Sequence, residues 1–425
     1  MKPRELQLNK LPKINDIEHY KTGDDRILSI NHQNFFMQKQ TYRDLTPNKR
    51  AHSPCRILHF VSSLSISSGV MAVIMNYYRN INRDNIQFDF IYYKDIAKDN
   101  TYGEEIDLLG GRAFLIDKPS LSFKYKKYLH NFFDMHKQEF AVIHIHEVYL
   151  TFMFAPIAKA HGLKIIIHCH STRFSDHLLH AIRNRILCIG INRKADLKLA
   201  CSKAAGIALY GKNVNFAVIN NAIDLDKFAF SQNKRDALHR ELNIENKIVI
   251  GHVGRFSREK NHKFLITIFY EFHKINRDSV LLLIGEGPLL EEVRRQVTAL
   301  SLSDSVLFLG RRDDVQDLYN VMDIFVLPSL FEGLGIVSIE AQANGLPCVM
   351  ASCIPQEAMI DKVTLVNLSR TPSCWCDQIS NSLIYKRKKC SLEKFNFLGY
   401  NIKLVAKTLE NKYISLIEQR IQDKS

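Results

Sequence analysis

The sequence predicts an α/β protein in which two Rossmann-like, doubly wound domains face each other across a cleft. Short apolar runs rich in β-branched residues alternate with longer amphipathic segments, which is the pattern of a parallel sheet with helices on both faces. The alternation occurs twice, first in residues 55–219 and again in residues 247–366. Between the two halves, residues 220–246 are rich in Asn, Asp and Lys and lack a strong apolar period, which favours a linker.

The apolar runs of the first half predict strands, and the amphipathic segments between them predict helices. The strands are expected at 55–61, 86–93, 112–116, 141–146, 163–169, 197–201 and 216–219. The helices are expected at 70–80, 123–137, 151–160, 176–193 and 203–210.

The second half repeats this pattern. Its strands are expected at 247–253, 280–284, 306–309, 324–327, 348–351 and 364–366. Its helices are expected at 261–275, 289–300, 315–322 and 336–344, and apolar residues at helical spacing predict a last helix at 402–421.

These elements predict the following division of the chain. Residues 1–53 are polar and interrupted by prolines, so we expect a mobile extension there. An N-terminal domain follows at 54–225, then a linker at 226–246, a C-terminal domain at 247–400 and a final helix at 401–425. Because ligands of open α/β sheets bind beyond the carboxyl ends of the strands, the cleft between the two domains is the expected site.

Composition restricts the class of protein. Hydrophobic residues make up 46% of the chain and charged residues 24%, which excludes a mostly disordered protein. The net charge of +14 favours an anionic partner, such as nucleic acid, an anionic membrane or a phosphorylated small molecule. Nine cysteines, several of them in apolar runs, favour reduced thiols in a cytoplasmic protein. We expect neither a signal peptide nor a membrane-spanning helix, since no apolar run approaches ~18 residues.

The strongest functional signal follows the predicted strand at 324–327. The chain there passes through a glycine-containing turn, Gly333-Leu334-Gly335, and enters a helix. Glycines let a backbone approach a ligand closely, and the free N–H groups at a helix start favour phosphate. Glu332 precedes this helix and Glu340 lies within it, with seven residues between them. The two carboxylates can therefore contact opposite ends of one nucleotide-sugar.

This segment resembles the two-glutamate signature of glycosyltransferase family 4, the retaining enzymes of GT-B fold. Three further stretches, 251–261, 284–289 and 308–310, resemble the same family in the same order. The resemblance covers roughly residues 55–415 and is most specific in the C-terminal half. It implies a nucleotide-sugar donor in the C-terminal domain, an acceptor in the N-terminal domain, and transfer with retained anomeric configuration.

The same resemblance implies roles for individual residues. Arg255 and Lys260 would bind the donor diphosphate, because a planar fork and a point charge suit a leaving group that gains negative charge. Glu332 would hold sugar hydroxyls, and Glu340 would accept hydrogen bonds from the ribose. The expected donor-binding residues are Gly69, Arg255, Lys260, Gly333, Leu334, Gly335 and Glu340. Gly69 is the one glycine left of the pair that this family often has in its first loop.

The N-terminal half resembles the bacterial enzymes of capsular and extracellular polysaccharide assembly, on residues 69–80 and 196–226. That subgroup implies a UDP-sugar donor and a growing, lipid-linked glycan acceptor at the cytoplasmic face of the cell membrane. Segment 122–133 offers a contact with an anionic leaflet, because as a helix it would interleave three lysines with aromatic side chains. In the alternative interpretation this helix packs its apolar residues on the sheet and leaves its lysines in water.

Histidines alternate along two predicted strands. His144 and His146 occupy one strand and His168 and His170 the next, so each pair lies on one face of the sheet. Zinc is an alternative, but no carboxylate or cysteine has ligand spacing beside them, and we expect no metal. We expect His144 and His168 to be satisfied core residues. The resemblance places His170 near the transferred sugar as a catalytic residue with Glu332, and His168 is the alternative.

Other functions remain to be weighed against this one. A sugar-nucleotide 2-epimerase shares the two-domain fold. A nucleic-acid-binding protein would use the basic charge, but the Lys and Arg residues are dispersed and form no known module, so no nucleic acid is expected. A non-catalytic sugar-nucleotide sensor is a third alternative. Asp224 and Asp226 have the spacing of a metal motif from another glycosyltransferase fold, but we interpret them as a turn and expect no cofactor.

Overall fold

The computed structural model describes residues 53–422, apart from 98, 99, 137, 173, 175–177, 386 and 388. The predicted mobile extension falls at 1–53, so nearly all of it lies outside the described residues. Within the described residues, thirteen strands form two sheets in which every pairing is parallel. This is the predicted α/β architecture of two Rossmann-like sheets.

The first sheet has the strand order β3-β2-β1-β4-β5-β6-β7. Its strands are β1 (Cys55–Phe60), β2 (Ile86–Tyr92), β3 (Arg112–Leu115), β4 (Phe140–Ile145), β5 (Lys164–Cys169), β6 (Leu197–Ala200) and β7 (Ala217–Val218). The helices in this part are α1 (Gly69–Asn80), α2 (Gly103–Leu108), α3 (Phe123–Met135), α4 (Thr151–Ala160), α5 (Leu178–Leu187), α6 (Ile191–Lys194) and α7 (Lys203–Tyr210). The single helix predicted at 176–193 is two helices, because Gly190 adopts a left-handed conformation (φ 73°) between them.

The second sheet has the strand order β10-β9-β8-β11-β12-β13. Its strands are β8 (Ile248–Val253), β9 (Ser279–Ile284), β10 (Val306–Phe308), β11 (Ile324–Leu327), β12 (Cys348–Ala351) and β13 (Val363–Val366). The remaining helices are α8 (Gln232–Glu241), α9 (His262–Ile275), α10 (Leu290–Ala299), α11 (Val315–Leu318), α12 (Ile336–Ala343), α13 (Pro372–Leu383), α14 (Leu392–Phe397) and α15 (Ile402–Gln422).

The burial of the strands explains why continuous apolar runs predicted them. Every residue of β9, β11 and β12 is buried, because helices cover both faces of a parallel sheet and leave no strand position in water. The first sheet has an apolar cluster on each face. One of these clusters includes Leu409 and Tyr413 of α15, so the last helix of the chain returns to pack beside α1 on the first sheet.

The segment predicted as a linker contains α8, where the sequence predicts no helix. This helix packs against the second domain's core through Leu238 and through polar side chains. Arg235 donates to Oδ1 of Asp323 at 2.7 Å and to the carbonyl oxygens of residues 320–322. The ring of His239 bonds to the carbonyl oxygen of Val321 at 3.0 Å. The apolar period is weak here because charged and imidazole groups make these contacts. The domain boundaries stay a prediction.

Among the described residues, no helix combines the length and the apolar composition that crossing a membrane requires.

Candidate functional site

A cavity of about 550 Å³ lies at the carboxyl ends of strands from both sheets. The first sheet contributes the start of α1 and the residues that follow β5 and β6, while the second contributes the loops after β8 and β11. Eight of the predicted site residues line it: Gly69, His170, Lys260, Glu332, Gly333, Leu334, Gly335 and Glu340. The volume falls within the range of about 300–1,000 Å³ that ligand pockets occupy.

The turn between β11 and α12 has the backbone that its sequence predicts. Gly335 precedes the helix in a left-handed conformation, with φ 78° and ψ 48°. Glycine reaches this conformation without the steric cost that a Cβ atom imposes. The hydroxyl of Ser338 donates to the carbonyl oxygen of Gly335 at 2.8 Å and fixes the first turn of α12. The helix therefore begins at the cavity wall, where its free N–H groups favour an anion.

Glu332 is held by two donors. Its Oε1 accepts a hydrogen bond from Nζ of Lys260 at 2.7 Å and another from the hydroxyl of Ser329 at 2.7 Å. The side chains of Glu332 and Lys260 are only 9% and 16% exposed. The pair therefore lies in a partly dry environment, where electrostatic interactions are stronger than in bulk water. Sequence analysis had missed Ser329, which only the turn geometry brings to the carboxylate.

The loop carrying Lys260 is tied to the loop carrying Glu332. The backbone N–H of Leu330 donates to the carbonyl oxygen of Glu259 at 2.8 Å. Asn261 has a left-handed backbone conformation, with φ 57°. Its side-chain amide donates a hydrogen bond to the carbonyl oxygen of Pro328 at 3.0 Å. These bonds hold the ammonium and the carboxylate in register before any ligand arrives.

Glu340 lies deeper in the wall of the cavity. Its Oε2 accepts a hydrogen bond from the hydroxyl of Tyr319 at 2.8 Å. Burial raises the pKa of Glu340 to about 7, although the bond from Tyr319 and the charge of Lys260 act in the opposite direction. Near neutral pH this carboxyl group is therefore divided between its protonated and its ionised form.

Arg255 lies outside the lining of the cavity, exposed on the loop after β8. The turn after β9 supports this loop through backbone bonds, since Gly254 donates to Ile284 at 2.9 Å and Phe256 donates to Glu286 at 2.9 Å. A Cβ atom on Gly285 would lie 2.1 Å from the carbonyl oxygen of Gly254. The two loops pack this closely only because residue 285 is glycine. A part for Arg255 in donor binding stays a prediction.

Five histidines form a cluster beside the cavity, one more than the sequence predicted. His59 of β1 joins the pairs from β4 and β5. Nδ1 of His59 lies 2.9 Å from Nε2 of His146, and Nδ1 of His146 lies 2.8 Å from Nε2 of His170. His144 bonds through Nδ1 to the hydroxyl of Tyr413 at 2.7 Å. Sequence analysis missed His59 because a single histidine in a strand shows no spacing pattern.

The cluster is neutral. Burial lowers the pKa of His59 to about 3 and that of His170 to about 4, and burial with the neighbouring rings lowers the pKa of the other three. The expectation for His144, a buried histidine with a hydrogen-bond partner, agrees with its bond to Tyr413. His168 differs from the expectation, because among the described residues neither of its buried ring nitrogens has a partner.

Two family models match the chain. Residues 68–227 match Glycosyltransferase Family 4, and residues 234–365 match Glycosyl transferases group 1. A protein of Bacillus subtilis (strain 168) named "Putative glycosyltransferase EpsF" is 31% identical over 373 residues, which cover 84% of this chain and 96% of that protein. The chain belongs to glycosyltransferase family 4. The resemblance found in its motifs is thereby confirmed.

Another relative of this family 4 enzyme is an α-1,3-galactosyltransferase of Escherichia coli. Its full name is "UDP-Gal:alpha-D-GlcNAc-diphosphoundecaprenol alpha-1,3-galactosyltransferase", and it is 26% identical over 329 residues, covering 72% of this chain and 81% of its own. The crystal structure of HepE from Anabaena with UDP and glucose has a TM-score of 0.64 at 19% identity and covers 84% of this chain and 98% of HepE. The GT-B fold is thus confirmed, and the chain is a glycosyltransferase. The epimerase alternative gains no support.

Proposed function

We propose that this glycosyltransferase moves a sugar from a UDP-sugar to a growing, lipid-linked glycan, with retained anomeric configuration, in extracellular or capsular polysaccharide synthesis. The observation that carries the proposal is the placement of Lys260, Glu332 and Glu340 around one cavity at the start of α12. Lys260 supplies a cation for a diphosphate, Glu332 a carboxylate with fixed geometry for a sugar, and Glu340 a second, half-buried carboxylate for a ribose.

The donor would lie along the loop from β11 into α12. Glu340 would accept the ribose hydroxyls, and the N–H groups at Gly333 and Gly335 with Nζ of Lys260 would face the diphosphate. Breaking the anomeric bond leaves negative charge on the diphosphate, which Lys260 and the helix start stabilise. Glu332 would bind sugar hydroxyls and, with Lys260, hold the sugar against the acceptor. Such positive groups around the diphosphate would do the work of a metal ion, so we propose metal-independent transfer.

We propose retention because the family resemblance implies it, and the described wall of the cavity favours a route without a covalent sugar–enzyme intermediate. The carboxylates in that wall are Glu332 and Glu340. Lys260 and Ser329 engage the first, and Tyr319 engages the second. A retaining glycosidase uses two carboxyl groups about 5 Å apart, one of them free to attack the sugar. Here the acceptor would attack on the face that the diphosphate leaves, and the departing phosphate would take its proton.

The relatives support this substrate class. The Escherichia coli enzyme is named for UDP-Gal, for an α-1,3 bond and for a diphosphoundecaprenol acceptor. Since UDP-Gal is itself an α-glycoside, an α product corresponds to retention. HepE has been solved with UDP-glucose, and a protein of that fold therefore binds a nucleotide-sugar. We carry both properties to this chain as part of the proposal, together with a place at the cytoplasmic face of the membrane.

A second candidate for the membrane contact supports the proposal beside the one expected from the sequence. In α3, Tyr125, Leu129, Phe132 and Phe133 are buried in the core, whereas Phe123 at the start of the helix is 83% exposed beside the lysines. The exposed alternative is α5 and the turn after it, where four apolar side chains recur at helical spacing. We call this the α5 surface; its members are Leu179, Ile182, Ile186 and Ile189, flanked by Arg183 and Arg185. Apolar residues beside arginines suit an anionic lipid surface.

Product analysis tests the proposal directly. Purified protein is incubated with a panel of UDP- and GDP-sugars and a diphospholipid-linked sugar acceptor, with and without EDTA. We expect one UDP-sugar to raise the melting temperature and to be transferred in EDTA, and the product to show the donor's anomeric configuration by NMR. Melting temperatures unchanged by every donor, or an inverted product, would contradict it. Glu340→Ala serves as the matched negative control for donor binding.

A further inference from the structure

Several ring nitrogens of the histidine cluster are buried without a hydrogen-bond partner in the described part of the chain, which is unusual in a protein core. Among the described residues, both ring nitrogens of His168 are buried without a hydrogen-bond partner, and His168 is 0% exposed. One nitrogen each of His59, His144 and His170 is in the same state. A neutral imidazole always carries one N–H, so His168 holds a buried donor with nothing to receive it in either tautomer. Leaving such a donor unpaired in the core is unfavourable, and a ligand bound among the rings would satisfy it.

The positions of the rings indicate what that ligand is. His146, His168 and His170 each offer a ring nitrogen, and these three atoms lie within 4.8 Å of one another. Three imidazoles are a common protein ligand set for zinc and related ions, at Zn–N distances of about 2.0–2.1 Å.

The surroundings of this set also fit a metal centre. A ligating histidine usually uses its second nitrogen to bond a neighbouring group that fixes the orientation of the ring. His146 has such a neighbour, since its Nε2 lies 2.9 Å from Nδ1 of His59. Its Nδ1 would then face the ion, which would replace the present contact of 2.8 Å between this atom and Nε2 of His170. His170 lines the cavity, so an ion between these rings would have an entry path. An oxygen anion from the cavity could complete a tetrahedral set and balance the charge that three neutral rings leave uncompensated.

We propose that His146, His168 and His170 bind a divalent transition-metal ion of the zinc type, with His59 as the residue that orients His146. The ion would lie at the carboxyl ends of β4 and β5 of the first sheet, whereas Lys260 and Glu332 belong to loops of the second sheet. It would tie β4 to β5 and fix the ring of His170 in the wall of the cavity. This inference concerns binding and is independent of whether the transfer reaction is correctly proposed.

Cobalt titration of the whole, tag-free chain tests the site. After dialysis against EDTA, Co²⁺ is added and the visible absorption of the ion is recorded, with metal content measured after gel filtration. We expect one Co²⁺ per chain, a spectrum typical of tetrahedral nitrogen coordination, displacement by Zn²⁺, and a higher melting temperature with either ion. His168→Phe keeps the stacked ring but removes its nitrogens, and should weaken Co²⁺ binding at least about tenfold.

A matched control lies in the same stack. His144 is as buried as His168 and its ring stacks on that of His168 at 5.3 Å, but it is outside the proposed set. His144→Phe should leave Co²⁺ affinity within a factor of about two, whereas His170→Asn should lower it as His168→Phe does. Absence of stoichiometric Co²⁺ binding, or equal binding by wild type and His168→Phe, would overturn the site. Loss of binding in His144→Phe with retention in His168→Phe would also overturn it.

Discussion

Nζ of Lys260 lies 2.7 Å from Oε1 of Glu332 in a cavity wall where both side chains are mostly shielded from water. The ammonium assigned to the diphosphate and the carboxylate assigned to the sugar are therefore already paired. Because the pair is shielded and already oriented, little solvent has to reorganise when charge develops on the donor. This is the condition under which such groups stabilise a transition state strongly. The pairing also means that each residue orients the other, so a change in either should affect both ends of the donor.

The first prediction concerns this pair. Lys260→Ala should lower kcat for transfer by about 10²–10³, because a group that stabilises the departing diphosphate is lost. Glu332→Gln should lower kcat as well, since the amide holds neither the sugar nor the ammonium in the same way. Initial rates with the preferred UDP-sugar measure both effects.

The matched control is Lys263→Ala on α9, which breaks an exposed ion pair with Glu292 of α10. Exposed pairs contribute about 0–1 kcal/mol, so this variant should transfer sugar at the wild-type rate. Wild-type rates in both Lys260→Ala and Glu340→Ala would show that the nucleotide is misplaced.

The second prediction follows from the pKa of about 7 at Glu340. The ionised carboxylate accepts ribose hydroxyl hydrogens, so the affinity for the UDP-sugar should rise from about pH 6 to about pH 8. Glu340→Gln should bind the donor more weakly and lose this pH dependence. Tyr319→Phe removes a hydrogen bond that lowers the pKa, and its midpoint should move to higher pH. Calorimetric titration with UDP at several pH values gives the midpoints.

The same carboxyl group predicts a slope in stability. Its pKa in the folded protein is above the ordinary value of 4.5, so the folded state retains a proton that the unfolded state loses between these two values. The contribution of this group to stability is therefore complete below about pH 4.5 and is lost as pH rises towards 7. Urea unfolding of wild type and Glu340→Gln across that window should show free energies of unfolding that diverge. A constant difference between them would contradict the raised pKa.

The third prediction concerns the close approach of two loops. Gly285→Ala would place a Cβ atom 2.1 Å from the carbonyl oxygen of Gly254, at a backbone φ of 139° that only glycine adopts readily. The loop carrying Arg255 must then move, at a cost of roughly 1–3 kcal/mol, and donor binding should weaken with the fold. For stability alone, Gly69→Ala is the control, because a Cβ there has nothing within 4 Å. Urea midpoints should separate the two variants, and the UDP-induced rise in melting temperature is compared between Gly285→Ala and wild type.

The sequence predicted most of this architecture because buried parallel strands are continuous apolar runs, as in β9 and β12. It did not predict α8, where Arg235 and His239 make contacts beside those of Leu238. It did not predict α13 either, although Trp375 and Ile379 of that helix are buried at helical spacing. The site residues were predictable from their family motif, and eight of the nine line one cavity. Their partners were not, since Ser329 and Tyr319 reach the glutamates only after folding.

The last prediction concerns the α5 surface, whose apolar members are between 51% and 79% exposed. Ile182→Ser with Ile186→Ser should reduce binding to liposomes rich in anionic lipid, because two apolar side chains leave the interface. Replacing Arg183 and Arg185 by Gln should reduce binding about tenfold or more, at about 1 kcal/mol for each charge near the leaflet, and should flatten the salt dependence. Liposome flotation at two salt concentrations measures both.

Two comparisons make the test specific to this surface. Ile275→Ser removes an equally exposed isoleucine, 76% exposed at the end of α9, and should leave binding unchanged. Changing Lys124, Lys126 and Lys127 of α3 to Gln should have the smaller effect, since most aromatic residues of that helix are buried and the exposed Phe123 is a single ring beside the lysines. Binding that depends on the three lysines and not on the α5 surface would restore the contact expected from the sequence. Absence of binding to every anionic liposome would remove the membrane from the proposal.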